Sequence, residues 1–259
     1  MKQSAIGWCD YSGGVLNVVS GCTPASEGCA NCYARAIADR YGRPFLVRTD
    51  PAKVEALRRL RLPETSPKRG YGRPLAFLVD TGDLFHPDVP SAFVAQLFAA
   101  LRDRPDVEWF VLTKRAERMA DMMMQLRERG IVLPETLWLG VSVENQFWAN
   151  RRIRALMTMP GVRKFVSFEP LLGPVRLGPR ILDVGDDGIG WMICGGESGP
   201  RRRPFDVKWA RALFAESRRW DIPFFYKQGS AHFSGRDDLL DGRRVQEWPG
   251  SPGMLAAFM

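Results

Sequence analysis

Beyond residue 70 the chain repeats one pattern, a short unbroken apolar run followed by a longer segment with apolar residues at helical spacing. The runs are Leu75–Val79, Trp109–Leu112, Leu137–Val141, Lys164–Phe168, Trp191–Cys194 and Pro223–Tyr226. Each spans four or five residues without polar alternation, as expected of strands covered on both faces of a parallel sheet. The run Val15–Val19 adds a seventh candidate at the front. Helix candidates lie between them. Pro90-Ser91 opens a segment through Leu101, and Arg115–Arg129 carries Met119, Met122, Met123 and Leu126 as its apolar positions. Asn145 caps a segment through Met157 that Pro160 stops, and Asp206 caps Val207–Trp220. The run Met122-Met123-Met124 reads as core filling on an amphipathic helix.

Strands alternating with helices predict βαβ units, so the expected fold class is α/β, a partial, open TIM-like barrel of parallel strands. A doubly wound open sheet is the alternative. No Gly-x-Gly-x-x-Gly follows an early strand, which weakens its dinucleotide-binding version. A length of 259 residues suits one barrel-sized unit. Residues 1–230 are expected to form the barrel with an N-terminal loop, and 231–259 a tail with turns packed on the same domain. Pro63–Pro74 reads as a mobile loop. No apolar run is long enough for a membrane span, and Met1–Trp8 holds no apolar stretch of signal-peptide length. A cytoplasmic location is expected.

Polar residues follow every one of the six later runs. They are Asp80-Thr81-Gly82-Asp83, Thr113-Lys114-Arg115, Ser142-Val143-Glu144-Asn145, Glu169-Pro170, Gly195-Gly196-Glu197-Ser198 and Lys227-Gln228. In a barrel all of these converge on the C-terminal face, where active sites are built. The glycines among them would let a ligand approach the backbone closely. Asp83 and Glu197 are either helix-capping carboxylates or holders of a ligand's ammonium group.

The front of the chain supplies the most specific chemistry. Cys22, Cys29 and Cys32 form a Cys-x6-Cys-x2-Cys-Tyr run just after the apolar stretch Val15–Val19. Five cysteines, three of them clustered, point to metal binding and away from a disulfide framework. Cluster sites usually have four cysteines and closed zinc sites four ligands. A triplet therefore either lacks its fourth ligand or leaves a coordination position open. Cys194 ends an apolar run and reads as a buried small hydrophobe, whereas Cys9 is a candidate fourth ligand. The net charge of +8 and pI near 9.5 favour polyanionic partners, nucleic acid first. The Arg201-Arg202-Arg203 triplet beside the strand-six loop supports that preference.

Together these motifs resemble a known family. The residues carrying the likeness are Trp8, Asn17, Gly21-Cys22, Gly28-Cys29, Asn31-Cys32-Tyr33-Ala34 and Asp83-Leu84-Phe85-His86. Further on they are Leu112–Arg115, Trp138–Asn145, Ser167–Pro174, Gly195–Gly199, Pro223-Phe224-Phe225 and Asp241-Gly242-Arg243. The chain resembles the phage-associated three-Cys-motif family, itself similar to radical S-adenosylmethionine (SAM) enzymes. The spacing departs from the x3-x2 pattern of most such enzymes, and Asn31 stands where an aromatic residue is usual.

The resemblance implies a [4Fe–4S] cluster on Cys22, Cys29 and Cys32, with SAM on the fourth iron. It also implies a cofactor-binding set in which Thr81, Gly82 and Asp83 meet the methionyl amine and Lys114 or Arg115 its carboxylate. Ser142 and Glu144 would lie near the ribose and Gly195 and Gly196 beside the adenine, with Glu169 and Glu197 completing the set. The implied chemistry is hydrogen abstraction from an unactivated carbon by a cofactor-derived radical, with a reducing electron-transfer partner and no catalytic side chain assigned. The implied substrate is a nucleic-acid base, for example a hypermodified thymine in phage DNA, with the reaction class left open among isomerase, lyase and transferase. The competing reading is a non-catalytic nucleic-acid-binding protein stabilised by zinc or an iron–sulfur centre, with Cys9 or His86 completing the site.

Overall fold

The structure is a computed structural model that describes residues 1–178 and 187–250. Its main sheet has seven strands, all paired in parallel. In spatial order they are β1 (Tyr11–Ser12), β4 (Leu75–Leu78), β5 (Glu108–Thr113), β6 (Leu137–Ser142), β7 (Arg163–Phe168), β8 (Ile189–Gly195) and β9 (Phe224–Gln228). A separate antiparallel ribbon pairs β2 (Val19–Ser20) with β3 (Arg48–Thr49).

The sheet is strongly curled. Phe110 on β5 and Trp191 on β8 have ring centroids 5.6 Å apart, although three inter-strand steps separate their strands. In a flat sheet those steps would span about 14 Å. Trp8, Phe77, Phe110, Trp138, Phe165, Trp191 and Phe225 fill the concave side as one aromatic core. The tail closes the barrel's lower end: Trp248 Nε1 donates to the Trp8 carbonyl at 3.0 Å, Trp191 Nε1 to the Glu247 carbonyl at 2.8 Å, and Gln246 bridges Phe225. Residues 251–259 of the expected tail lie outside the described residues.

The convex side is covered by helices whose apolar stripes match their sequence spacing. In chain order the helices are α1 (Tyr33–Arg40), which lies at the mouth with Tyr33 donating to the Asp80 carbonyl, and on the convex side α2 (Pro51–Arg58), α3 (Ser91–Arg102), α4 (Ala116–Glu128), α5 (Gln146–Trp148), α6 (Arg154–Met157) and α7 (Val207–Arg219). Met119, Met122 and Met123 are buried while Met124 is exposed, so the methionine run is chiefly core. A π turn, Ala149–Ile153, joins α5 to α6. Asn145 and Asp206 accept the N-terminal amides of α5 and α7 at 3.2 and 2.9 Å, as their capping positions require.

Two expectations are corrected. The first strand of the main sheet is Tyr11–Ser12, not Val15–Val19. Gly14–Leu16 forms a 3₁₀ turn, and only Val19 of the apolar run is a strand residue, in the ribbon. Leu16, Val18 and Val19 are fully buried all the same. The run reported burial, which a short apolar stretch cannot distinguish from strand. The Pro63–Pro74 segment, expected to be mobile, is anchored. Lys68 Nζ donates to the Ser4 and Ile6 carbonyls, and its amide donates to the buried Asp10 carboxylate at 2.9 Å.

Candidate functional site

The cysteine loop leaves β2 at the C-terminal end of β4. There Gly21 bridges Gly82, and its amide donates to the Thr81 carbonyl at 3.2 Å. Gly21 has φ +76°, and a Cβ on it would lie 2.1 Å from the Leu46 carbonyl oxygen, so only glycine lets these backbones meet. Cys22 follows, beside Arg115 from the end of β5. One guanidinium nitrogen of Arg115 donates to Cys22 Sγ at 3.3 Å and to Asp83 Oδ2 at 2.7 Å; the other reaches the Thr23 carbonyl at 2.8 Å. Asp83 is buried and also accepts from Thr113 Oγ1 and the Phe85 amide. Because the Asp88 amide donates to His86 Nδ1, Nε2 carries the proton and donates to Thr23 Oγ1 at 2.8 Å. Burial, then the Arg115 charge, holds the His86 pKa below its usual value. Burial, then Asp83, pushes the Cys22 thiol up, against the pull of Arg115.

The middle of the loop reaches across the mouth to β6. Ser26 Oγ donates to Glu144 Oε1 at 2.5 Å, while Asn145 and Trp148 donate to the Glu27 carboxylate at 2.6 and 2.9 Å. Glu144 and Arg152 are both fully buried and paired at 2.6 Å. Arg152 also donates to the Ser142 carbonyl at 2.7 Å, and its guanidinium lies over the Trp148 ring, 3.9 Å from the centroid. Lys114 adds a second cation 3.5 Å from Glu144. The far end of the loop is held at β8. Asn31 Nδ2 donates to Glu197 Oε2 at 2.9 Å and to the Arg201 carbonyl at 2.8 Å, and Arg203 pairs with Glu197 and reaches the Glu27 carbonyl. The loop is thus clamped to four strand ends, those of β4, β5, β6 and β8.

Beneath it, polar side chains ring the upper interior. Lys227 pairs with Glu169 at 2.9 Å, Ser167 Oγ donates to the same carboxylate, and Gly195 lies against it. Asp80 has one buried carboxylate oxygen without a hydrogen-bond partner among the described residues, and burial pushes its pKa up. Thr81 Oγ1 accepts from Asn17, and Gly196 exchanges hydrogen bonds with Gln228.

Several expectations change here. Lys114 and Arg115, expected at the SAM carboxylate, are committed to Glu144 and Asp83, and of the arginine triplet expected to favour a polyanion Arg203 is committed to Glu197 while Arg201 and Arg202 are exposed. Cys9 belongs to the aromatic core, where burial pushes its thiol up to about 12, which removes it as a fourth ligand. Both His86 nitrogens are engaged. Sequence reasoning missed Arg152, Ser26 and Glu27. Arg152 carried a legible signal, since it shares the buried stripe of Ala149, Ile153 and Leu156, and a charged residue on an apolar stripe needs a partner.

Among the described residues, no three His, Cys, Asp or Glu side chains are gathered closely enough to form a ready ion site. The donor set nonetheless fits an iron–sulfur cluster. All three thiols are free and partly buried on one loop, the Ala25 amide and Arg115 donate to Cys29 and Cys22, and such donors suit thiolate ligands. A closed zinc tetrahedron would need a fourth ligand that neither Cys9 nor His86 supplies.

The molecule is therefore an open α/β barrel with a cysteine loop clamped over its C-terminal mouth. It belongs to the family described as "Protein of unknown function (DUF5131)", which matches residues 3–249. No curated protein matches the chain. Among solved structures it is similar to spore photoproduct lyase complexed with dinucleoside spore photoproduct, at 13% identity over 87% of this chain and 76% of that one, with a TM-score of 0.47. A mutant of the same lyase gives 13% identity, the same coverage and a TM-score of 0.48. A citrate lyase from Burkholderia xenovorans LB400 gives 15% identity over 83% and 73% of the chains, with a TM-score of 0.32. At these values the likenesses carry no argument about activity.

Proposed function

We propose that this protein is a radical-SAM enzyme acting on a nucleic-acid base, fed by a reducing electron-transfer partner. The observation that carries the reading is the seating of three free thiols on one loop across the C-terminal mouth of a curled parallel sheet. The family resemblance of the cysteine run and the strand-end motifs supports it. Cys22, Cys29 and Cys32 would hold the cluster. A [4Fe–4S] cluster with SAM supplies, when bound, a carbon radical able to abstract hydrogen from an unactivated carbon.

The chain's own side chains divide into two groups. Asp83, Arg115, Glu144 and Glu197 hold the loop, since each carboxylate is already engaged by a cation and by hydrogen-bond donors. Asp80, Glu169, Lys227 and Ser167 face the interior beside Thr81, Gly82, Gly195 and Gly196. The unpartnered Asp80 oxygen is an acceptor for the ammonium of SAM, which moves that role from Asp83 to its neighbour. The aromatic core closes the barrel below and keeps water from the reacting centre.

Anaerobic reconstitution with iron and sulfide tests the reading. The expected result is a brown protein with a four-iron cluster that releases 5′-deoxyadenosine from SAM under a strong reductant. Alanine at Cys22, Cys29 or Cys32 should abolish both properties, and alanine at Cys194 should leave both intact. Stoichiometric zinc without iron uptake would overturn the proposal in favour of a metal-stabilised binding protein.

A further inference from the structure

Helix α1 begins directly at Cys32, its N-cap, and the chain beyond it returns to the cysteine loop, with Leu46 packed against Gly21. The excursion 33–48 therefore leaves and re-enters at the two ends of the site. Its inner side is anchored by Ala34 and Ala38. Its outer side is unusual: Ile37 and Tyr41 lie at i and i+4 and are 43% and 63% exposed, and Leu46 is 60% exposed, whereas Tyr33, one turn earlier, is tied to the mouth by its hydroxyl, which donates to the Asp80 carbonyl. Such a ridge sheds water poorly unless something covers it.

The charge around the ridge states what the cover is. Arg35, Arg40, Arg43 and Arg48 are all exposed on this segment, against a single acid, Asp39. None of the four pairs with a carboxylate among the described residues. The Arg35 and Arg43 guanidiniums instead lie over the Phe45 and Tyr41 rings, 4.8 and 5.4 Å from the centroids. Elsewhere at the mouth Lys114, Arg115 and Arg203 are consumed by ion pairs. Exposed aromatic faces interleaved with unpaired arginines form a platform on which bases stack while phosphates meet guanidiniums.

We infer that the outer face of residues 33–48 is a binding platform for single-stranded nucleic acid that delivers a base to the cysteine-loop mouth. A single strand is favoured over a duplex because the exposed Tyr41 ring needs an unstacked base. The ridge is too short and too interrupted by arginines for the broad apolar face of a membrane-lying helix. The assignment of this strand as substrate rests on the proposed function; the binding itself does not.

Fluorescence anisotropy of a labelled oligothymidylate with the full chain tests it. Four phosphate contacts on a single strand predict a salt slope of about −2.8, so affinity should fall about fiftyfold between about 50 and 200 mM salt. The Arg40→Ala/Arg43→Ala variant should lower that fall to about sevenfold. Tyr41→Ala should weaken binding about tenfold with the slope unchanged. Iron content and substrate-free SAM cleavage should match the parent in all these variants, so loss of binding is separable from loss of the radical chemistry. Unchanged oligonucleotide affinity in both variants would overturn the inference. So would a preference for blunt duplex, or binding to anionic phosphatidylserine vesicles that the oligonucleotide fails to displace.

Discussion

Replacing Arg152 by methionine should unseat the cysteine loop without touching a cysteine. Arg152 and Glu144 are fully buried, and their 2.6 Å pair is what permits a carboxylate at the end of β6. Methionine fills much of the volume but leaves Glu144 with Lys114, at 3.5 Å, as its nearest cation. Breaking a buried pair by removing one partner costs about 3–5 kcal/mol. Lys114 puts this case near the lower end, about 3 kcal/mol, equivalent to a Tm loss of about 6 °C for a chain of this size. Glu144 cannot relax freely, because Ser26 holds its other oxygen at 2.5 Å. The strain therefore passes to the loop, and cluster occupancy should fall with stability. The decisive assay is a double-mutant cycle read by thermal unfolding of the unreconstituted protein and by iron per chain after reconstitution. With the pair neutralised in Glu144→Gln/Arg152→Met, stability should recover by more than half. A single variant melting within about 2 °C of the parent, or a double variant no better than the single, would refute the reasoning.

Three further outcomes follow from the same geometry. A Cβ on Gly28 would lie 2.3 Å from Glu144 Oε1, so Gly28→Ala should cost about 1–3 kcal/mol and lower iron uptake, measured by the same two assays. In unreconstituted protein at mildly alkaline pH, iodoacetamide should label Cys22, Cys29 and Cys32 and spare Cys9, whose thiol is raised to about 12 by burial; peptide mapping by mass spectrometry checks this. Burial pushes the Glu197 carboxyl up, but the hydrogen bonds from Arg203 and Asn31 outweigh it and hold its pKa below the ordinary glutamate value. A depressed carboxylate stabilises the fold above its unfolded pKa and loses that contribution as pH falls through the folded value. The Tm of the parent should therefore drop more steeply than that of Arg203→Met on acidification below about pH 4.5, and parallel curves would count against the clamp.

The sequence by itself determined the layered α/β pattern and the C-terminal face as the place for polar residues. It did so because buried parallel strands must be short and apolar, and because polar groups at their ends have nowhere else to converge. Cys22, Cys29 and Cys32 were legible as one candidate site because their spacing along the chain puts three free thiols on one loop. What the tertiary structure alone decided is which polar residue meets which. Arg115, Lys114 and Arg203 looked like free cations in sequence, yet each is neutralised by a carboxylate about thirty or fewer residues away in the chain. The Ser26–Glu144 contact spans 118 residues, a separation at which no local pattern carries information. Val15–Val19 shows the same limit from the apolar side: hydrophobicity reported that the run is buried, and only packing decided that most of it would not be strand. The arginine and tyrosine ridge of residues 33–48 became visible only once burial had separated the cations spent inside the mouth from those left facing water.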